Sequence, residues 1–306
     1  MWYRLSLFSG SFALAVGFCA VPPVAAAPSA SPSTQPAQEL KVAAVQMRPT
    51  DNLEENIKKT IDFIGRCAQD AVRVVVFPEC SMVGSREDTV LRTTAEQLAA
   101  AEERVAQACR QHHTYAIVGM PTRDKDKLFN SAVIFSPEGR VIDRYHKMQL
   151  AERWSHPGDH LSVYKIDGVM CTTIICHDER YPELVRLPVL VGAQVVFYIS
   201  SESGLRHEHK IGPYRAQIQA RAVENEVWVV HANCPANEDG SGSHGQSRII
   251  APDGNIVQEA SIFREEVIAA TINLGRATRM NAKKSLRCDL LREWWEEGMK
   301  LVRVIE

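Results

Sequence analysis

The chain has 306 residues, of which 45% are hydrophobic and 24% charged, as is usual for a globular protein with a substantial core. Its formal net charge of −2 provides no electrostatic attraction to nucleic acid or to an anionic membrane surface. Lysines and arginines form no stripe that alternates with aromatic residues. Composition therefore argues against a nucleic-acid partner, and length alone permits one large domain or two small ones.

The first 39 residues differ in composition from the rest and predict an export signal. Arg4 precedes a largely apolar, uncharged stretch at 5–21, and small residues ending at Ala26 offer a cleavage site. We therefore predict a signal peptide over 1–26, because a cut one residue later would leave a proline first. Residues 27–39 are rich in Ala, Pro, Ser and Gln and predict a disordered linker.

The predicted signal places the mature protein outside the cytoplasm, either secreted or periplasmic, with an uncleaved N-terminal anchor as the alternative. Cys19 raises the question of a lipid anchor. Bulky Phe18 stands where a lipoprotein signal has a small residue, so lipid attachment at Cys19 is not expected. Beyond the export signal, we expect no membrane partner.

From residue 40 onward, apolar strand-like runs alternate with helix-like segments. Strands are predicted within 41–47, 72–79, 114–120, 131–147, 169–176, 193–200, 226–233, 247–260 and 265–273, and helices within 52–71, 95–112, 183–191 and 214–224. This alternation predicts an α/β domain whose helices cover the sheet faces. Two hairpins around Pro-x-Gly, within 131–147 and 247–260, indicate a mixed sheet or two sheets packed together.

No stretch within 40–274 has the composition of an interdomain linker, so we predict a single domain over these residues. The remaining segment, 275–306, is charged and contains Trp294 and Trp295. It is expected to form either a peripheral helix or an arm that reaches a partner subunit.

Eight cysteines are irregularly spaced along a long chain, which does not favour a disulfide framework. Removal of Cys19 with the signal peptide leaves an odd number, so at least one thiol stays unpaired within a monomer. Cys67 and Cys109 in helix-like segments, and Cys171 and Cys234 in or beside strands, are interpreted as small buried side chains. No Cys/His spacing indicates zinc, and we expect neither a metal nor a cofactor.

Three polar residues stand at or near the ends of apolar runs, where a strand would stop and present a side chain. They are Glu79 in VVVFPEC, Lys147 in DRYHKMQL and Cys176 in TTIICHDERYPE. A carboxylate can accept the thiol proton, a thiolate can attack an acyl carbon, and an ammonium can stabilise the resulting oxyanion. The trio predicts nucleophilic catalysis.

The segments VVVFPEC, YHKMQL and IICHDERYPE resemble, in order and spacing, the three motifs of the nitrilase superfamily of carbon–nitrogen hydrolases. The later segments NEVWVVHAN and GQSRIIAPDGNIV are similar to the same family, so the resemblance covers 41–272. It implies a four-layer α-β-β-α sandwich. Subunits of this family commonly pair through an α face, which implies a homodimer or a higher homo-oligomer.

The resemblance also implies a role for each residue that matches a motif. Cys176 would be the nucleophile, Glu79 the general base and Lys147 the stabiliser of the transition state, with the backbone N–H of His177 completing the oxyanion hole. Glu152 in QLAERWSHPGD would be a second carboxylate that orients substrate or assists the second step. A solvated loop carboxylate is the alternative for Glu152.

The activity implied is hydrolysis of a non-peptide C–N bond through a thioester, with release of ammonia or an amine from a small amide or ureido compound. One alternative is a catalytically silent binding or scaffold protein with the same fold, which would be expected to have lost a member of the trio. Others are a true nitrilase, and a Cys–His hydrolase with His231 or His244 as base.

Arg180 is the first candidate for substrate binding, because some relatives use an arginine at this position to hold a carboxylate. A structural salt bridge to Asp178 or Glu183 is the alternative. The segment 201–213 is predicted to be a loop over the pocket.

This loop contains His207, a candidate substrate contact. The pair formed by His207 and His209 also suggests a metal site, but Glu208 between them would point away in an extended segment. A solvated loop, or hydrogen bonds to substrate, is therefore favoured over a metal.

Overall fold

The structure is a computed structural model and describes residues 39–305. The predicted signal peptide at 1–26, and all of the predicted linker except its last residue, lie outside the described residues. The first strand begins at Glu39, one residue before the predicted start of the folded domain.

The described residues contain two sheets with helices on their outer faces. The strands are β1 Glu39–Gln46, β2 Val74–Val76, β3 Tyr115–Asp124, β4 Lys127–Phe135, β5 Val141–His146, β6 Leu161–Ile166, β7 Val169–Ile175, β8 Val195–Ser200, β9 Trp228–Asn233, β10 Arg248–Ile250, β11 Ile256–Glu259, β12 Glu266–Asn273 and β13 Val302–Val304. The helices are α1 Leu53–Gln69, α2 Glu87–Arg92, α3 Ala95–His112, α4 Glu183–Val191, α5 Glu208–Asn225, α6 Met280–Lys284 and α7 Asp289–Met299.

Both sheets are mixed. The first has the order β12-β1-β2-β3-β4-β5, and the second has the order β11-β10-β9-β8-β7-β6-β13. Parallel pairing joins β1, β2 and β3 in the first sheet, and β7, β8 and β9 in the second, while the hairpins add antiparallel strands at the edges. The prediction of two packed sheets is confirmed.

Alternate residues of β1 show how the layers pack. Val42 and Ala44 belong to an apolar core that contains residues of both sheets. Ala43 and Val45 point the other way and pack with residues of α1 and α3. Because successive side chains of a strand face opposite sides of its sheet, the first sheet has helices on one face and the second sheet on the other.

The second sheet is covered in the same way by α4 and α5, whose buried residues Leu184 and Ile218 join its core. The layers therefore follow the order helix, sheet, sheet, helix. The predicted α/β class and the four-layer α-β-β-α sandwich implied by the resemblance are confirmed, on a single domain.

The helix ends follow local rules. Thr94 precedes α3 and accepts a hydrogen bond from the backbone N–H of Gln97, whose side chain bonds back to the N–H of Thr94. This capping box satisfies two of the N–H groups that the first turn leaves free. One face of α3, including Leu98 and Val105, is buried.

The structure corrects the predicted loop over 201–213. Helix α5 begins at Glu208, six residues earlier than predicted, and Pro213 lies inside it. The prediction was wrong because Pro213 was interpreted as preceding the helix, whereas here the helix tolerates the loss of one N–H. A short 3-10 helix over Leu205–His207 leads into α5, so the segment around His207 and His209 is not extended.

Three elements were missed by the sequence reasoning: α2, β6 and β13. β13 lies in the segment 275–306, which also contains α6 and α7, and it pairs in parallel with β6 at the edge of the second sheet. No helix within 39–305 combines the length and apolarity needed to cross a bilayer.

Candidate active site

The ends of three strands present the three predicted catalytic residues. Glu79 lies three residues after the end of β2, Lys147 directly follows β5, and Cys176 directly follows β7. β2 and β5 belong to the first sheet and β7 to the second, so the site is built across the sandwich.

Lys147 and Glu79 form a buried ion pair. The ammonium Nζ of Lys147 donates to Oε1 of Glu79 at 2.8 Å, and the two residues are 1% and 5% exposed. The second oxygen of Glu79 accepts the backbone N–H of Ser201 at 2.9 Å. Both carboxylate oxygens are therefore occupied, which holds Glu79 in one orientation.

The turn that carries Glu79 lies directly against β3 at Gly119. A Cβ added to Gly119 would lie 2.2 Å from the carbonyl oxygen of Pro78 and 2.7 Å from the Cα of Glu79. No real Cβ contact is that short, so a glycine is required for the backbone of Glu79 to approach the sheet this closely.

Glu152 joins the pair as a second carboxylate. Nζ of Lys147 donates to its Oε2 at 2.8 Å, and Nδ2 of Asn130 donates to Oε1 of Glu152 and to Oε1 of Glu79, both at 2.8 Å. The structure thus brings Glu152 into the cluster. The alternative of a solvated loop carboxylate is wrong.

Asn130 was missed by the sequence reasoning. It is buried in β4, in the run LFNSAVIF, where a lone amide among apolar residues was the available signal. A buried amide needs partners for its N–H groups, and here the partners are the two carboxylates.

Lys147 and the two carboxylates of the cluster stabilise one another in their charged forms. Burial acts to lower the pKa of Lys147, but the charges of Glu79 and Glu152 outweigh it and raise that pKa overall. Burial also acts to raise the pKa of Glu152, and the charge and hydrogen bond of Lys147 lower it overall. Lys147 therefore remains a cation between two carboxylates.

Cys176 has a backbone conformation that few non-glycine residues adopt, with φ of 46° at the start of a 3-10 helix over Cys176–Arg180. Such strain persists only where the surroundings hold it, and it is frequent at functional sites. The carboxylate of Asp178 supplies one restraint by accepting the N–H of Ile175 at 3.1 Å.

Asp178 also connects the turn that carries Cys176 to the segment around Lys147. It is fully buried and accepts the backbone N–H of Gln149 and the hydroxyl of Tyr145, both at 2.8 Å. Because Lys147 lies between these two donors in the chain, one carboxylate ties the segment around Lys147 to the turn that carries Cys176.

The Cys176 thiol is free and half-buried. Burial, followed by the charge of Glu79, raises its pKa well above the usual value, and Lys147 only partly opposes this shift. The group therefore rests as a protonated thiol, and a base must remove its proton before it can act as a nucleophile.

The other cysteines in the described part of the chain are also unpaired. Cys67, Cys80, Cys109, Cys171 and Cys234 are buried, and Cys288 is exposed. The interpretation of Cys67, Cys109, Cys171 and Cys234 as small buried side chains is confirmed.

His177 follows Cys176 in the 3-10 helix, so its backbone N–H belongs to the same peptide unit as the Cys176 carbonyl. Its half-buried ring stands edge-on to Tyr181 at 6.0 Å. Burial, with the charges of Arg180 and Lys147, lowers the pKa of His177, so the imidazole is neutral at neutral pH.

Arg180 is exposed and lies on the side chain of Tyr214. Its guanidinium donates to the Tyr214 hydroxyl at 3.1 Å and lies 5.2 Å from the centre of the ring. The alternative of a salt bridge to Asp178 or Glu183 is wrong, since within 39–305 neither carboxylate pairs with it. Its remaining N–H groups are available to a ligand.

The structure does not bring His207 to the catalytic cluster. Its side chain is exposed, and its ring stands edge-on to that of His209 with the centroids 6.4 Å apart. In the described part of the chain, His207 makes no hydrogen bond to the residues around Lys147.

The two histidines considered as alternative bases have other partners. Nε2 of His231 lies 2.7 Å from Oγ of Ser200, and its Nδ1 lies 3.3 Å from Nη2 of Arg248. Nε2 of His244 pairs with Glu202. Neither ring bonds to Cys176, so the geometry does not support a Cys–His pair.

Residues 41–282 match the carbon–nitrogen hydrolase family. The 2-oxoglutaramate amidase of Bacillus subtilis (strain 168) is 30% identical over 228 residues, which are 72% of this chain and 85% of that protein. An (R)-stereoselective amidase of a Pseudomonas species is 31% identical over 235 residues, covering 74% of this chain and 82% of that protein.

The fold is similar to that of solved amidases. A cysteine-to-alanine variant of an amidase from Nesterenkonia AN1, of the nitrilase superfamily, superposes with a TM-score of 0.74 at 21% identity, covering 85% of this chain and 98% of that one. The family match spans most of the chain, and the chain belongs to the carbon–nitrogen hydrolase family.

Proposed function

We propose that this carbon–nitrogen hydrolase cleaves a small amide that bears a carboxylate, with Cys176 as the nucleophile. The observation that carries this proposal is the Lys147 ammonium held at 2.8 Å from both Glu79 and Glu152, next to a strained cysteine turn. That arrangement combines a base, a fixed cation and a nucleophile in a buried site.

The acylation step begins with a protonated thiol. Glu79 accepts the proton as the sulfur of Cys176 attacks the amide carbon, and the oxyanion that forms is stabilised by Lys147 and the backbone N–H of His177. The carbon–nitrogen bond then breaks, and the proton returns from Glu79 to the departing ammonia or amine. A thioester on Cys176 remains.

In deacylation Glu79 acts in the same order, with water in place of the thiol as the proton donor and the thiolate in place of the amine as the acceptor. Glu79 removes a proton from water, the hydroxide adds to the thioester, and collapse of the intermediate releases the acid and a thiolate that recovers the proton. Glu152 orients the substrate amide through its free lone pairs, and Asn130 and Lys147 keep it in place.

The surroundings of Arg180 support the proposal that the substrate bears a carboxylate. It lies four residues after the nucleophile, its guanidinium rests on Tyr214, and no carboxylate of the described chain forms an ion pair with it. A guanidinium presents two parallel donors, which suit a carboxylate. The name of the Bacillus relative, 2-oxoglutaramate amidase, agrees with this choice.

A matched panel of compounds tests the proposed substrate class. Glutaramate and pentanamide have the same chain length and differ in the terminal carboxylate, N-carbamoyl-β-alanine supplies a ureido group, and 4-cyanobutyrate supplies a nitrile. We expect ammonia release to be fastest from glutaramate. Preference for the nitrile would indicate a true nitrilase, and a faster reaction with pentanamide would contradict a carboxylate-bearing substrate.

Arg180→Gln is expected to raise the KM for glutaramate by roughly 10- to 100-fold and to leave hydrolysis of pentanamide unchanged, because a charge-assisted hydrogen bond contributes about 1.5–3 kcal/mol. Steady-state ammonia release from both amides measures the effect. Arg206→Gln is the matched control, since Arg206 is exposed and pairs with Asp239 at 2.6 Å. An equal loss on both amides would contradict a carboxylate contact.

We also propose that the protein is exported, on the basis of the pattern in its first 26 residues. Expression of the full chain in a Gram-negative host is expected to place the protein in the periplasmic fraction, with a mature N-terminus after Ala26. Intact-mass measurement locates the cut. Leu14→Arg, which interrupts the apolar stretch, should leave the protein unprocessed in the cytoplasm. Equal processing of the wild-type and Leu14→Arg proteins would contradict the proposal.

A further inference from the structure

A buried tyrosine hydroxyl lies against the backbone of the nucleophile. The hydroxyl oxygen of Tyr198, in β8, is 3.2 Å from the carbonyl oxygen of Cys176, 3.0 Å from Oε2 of Glu179 and 2.8 Å from Oε1 of Glu202. Tyr198, Glu179 and Glu202 are 0%, 1% and 3% exposed. The proposed mechanism uses none of these side chains.

The three contacts require a second proton. A phenol has one O–H to donate, and a backbone carbonyl and two ionised carboxylates would offer it only acceptors. One of the carboxylates must therefore be an acid that donates to the oxygen of Tyr198. Otherwise, buried oxygens with no proton between them would lie 3.0 Å apart or less.

Glu179 is the carboxylate that carries this proton. Burial, with the charge of Glu202 next to it, raises the pKa of Glu179 to about 9. Burial acts in the same direction on Glu202, but the hydrogen bond from His244 and the charge of His231 lower its pKa to about 2. At neutral pH, Glu179 thus donates to Tyr198, and the Tyr198 proton is shared between Glu202 and the Cys176 carbonyl.

A peptide unit is planar, so its C=O and N–H point in opposite directions and turn together. The carbonyl of Cys176 and the N–H of His177 belong to one such unit. A hydrogen bond that holds the carbonyl therefore also sets the direction of the N–H. This N–H is the expected backbone donor to the oxyanion.

We propose that Tyr198 is a positioning residue for the oxyanion hole, held against the Cys176 carbonyl by Glu179 in its acid form and by Glu202. The inference rests on the proposed function, which assigns the His177 N–H to the oxyanion. It adds to that function a further restraint on the strained turn, besides the bond from Ile175 to Asp178.

Several other charged or titratable groups surround Glu179. The charged or titratable groups around it are Tyr198 on β8, Glu202 and His244 in loops, His231 on β9, Arg248 on β10, Arg221 on α5, and Cys176 and Arg180 on its own turn. Among these, Cys176 and Tyr198 also lose protons at alkaline pH, so a simple pH–rate profile would mix several groups.

Two reagents that attack the same thiol separate the oxyanion hole from the nucleophile. Acylation of Cys176 by p-nitrophenyl acetate passes through an oxyanion, whereas alkylation by iodoacetamide displaces iodide at a saturated carbon and forms none. The ratio of the two rates reports on oxyanion stabilisation, because the thiolate fraction cancels. All proteins in this test carry Cys288→Ala, because Cys288 is an exposed free thiol that would also react. Cys176→Ala in that background measures the reaction with other groups.

Tyr198→Phe is expected to lower the acylation rate by roughly 10- to 100-fold, less than the 10²–10³ typical for complete loss of an oxyanion donor, with alkylation within about twofold of wild type. Normal alkylation also shows that the site is folded. An unchanged ratio of acylation to alkylation would overturn the proposal, whether both rates stayed at the wild-type value or both decreased by the same factor.

Two substitutions of Glu179 test whether its carboxyl group carries the second proton. Glu179→Gln retains an N–H donor to Tyr198 and should keep the ratio of acylation to alkylation near that of wild type, while Glu179→Leu should lower it as Tyr198→Phe does. Above pH 9, where Glu179 loses its proton, the wild-type ratio should fall and the Glu179→Gln ratio should stay level. Equal pH dependence of the two proteins would overturn the assignment of the proton to Glu179.

These results are distinguishable from a failure of the proposed function. If Cys176→Ala kept its reaction with both reagents, the nucleophile itself would be wrong. If Cys176→Ala lost both reactions while Tyr198→Phe kept the wild-type ratio, the nucleophile would stand and only the positioning role of Tyr198 would be excluded.

Discussion

Cys176→Ala is expected to lower amide hydrolysis by at least about 10⁴-fold, to background, and to leave the fold intact. In the proposed mechanism, the sulfur of Cys176 is the atom that forms the acyl intermediate. Alanine has the same preference against positive φ as cysteine, so the strain at φ of 46° is not increased.

Ammonia release from glutaramate measures the loss, and a thermal unfolding curve within a few degrees of wild type shows that the fold is retained. Intact-mass measurement of quenched reactions should show an acyl adduct on the wild type and none on Cys176→Ala. Cys288→Ala is the matched control, because Cys288 is an exposed free thiol. Turnover that survives in Cys176→Ala would rule out the thiol mechanism.

Lys147→Met is expected to lower kcat by about 10²–10³ with little change in KM, because Lys147 acts on the oxyanion that exists only in the transition state. The substitution also leaves Glu79 and Glu152 without the cation that lies 2.8 Å from each. Removing one partner of a buried ion pair typically costs about 3–5 kcal/mol of stability. Part of that cost is relieved when one of the two carboxylates takes up a proton.

Steady-state kinetics on glutaramate and urea unfolding measure the two effects separately. Lys300→Met is the matched control, because its ammonium is on the surface with 67% of the side chain exposed. An increase in KM with kcat unchanged would make Lys147 a substrate-binding residue rather than a stabiliser of the oxyanion. Unchanged stability would show that the carboxylates do not depend on the cation.

Much of the site could be predicted because each catalytic residue interrupts a local pattern. Glu79 and Cys176 each follow an apolar run typical of a buried strand, and Lys147 follows the second strand of a predicted hairpin. The ends of strands are where side chains are presented to a site. Glu152 was predicted through its position in a family motif. These predictions needed only the nearest dozen residues and the order of the motifs.

The residues that support the site could not be predicted in this way. Asn130 is 51 residues from Glu79 and 22 from Glu152, yet it donates to both. Asp178 was considered as a partner of Arg180, and instead it accepts donors from the segment around Lys147. Each of these contacts depends on which strands are neighbours, and strand order is not a local property of the sequence.

The amino-acid sequence by itself determined most of the strands and helices and predicted the nucleophile and its chemical partners, because apolar periodicity and residue type act over short distances. The tertiary structure decided which protons those groups carry and where they point. The charges of Glu79 and Glu152 keep Lys147 a cation, burial and the charge of Glu79 keep Cys176 a thiol, and burial beside Glu202 makes Glu179 an acid. Such shifts arise because burial removes water and brings charges from distant parts of the chain within a few ångströms of each other.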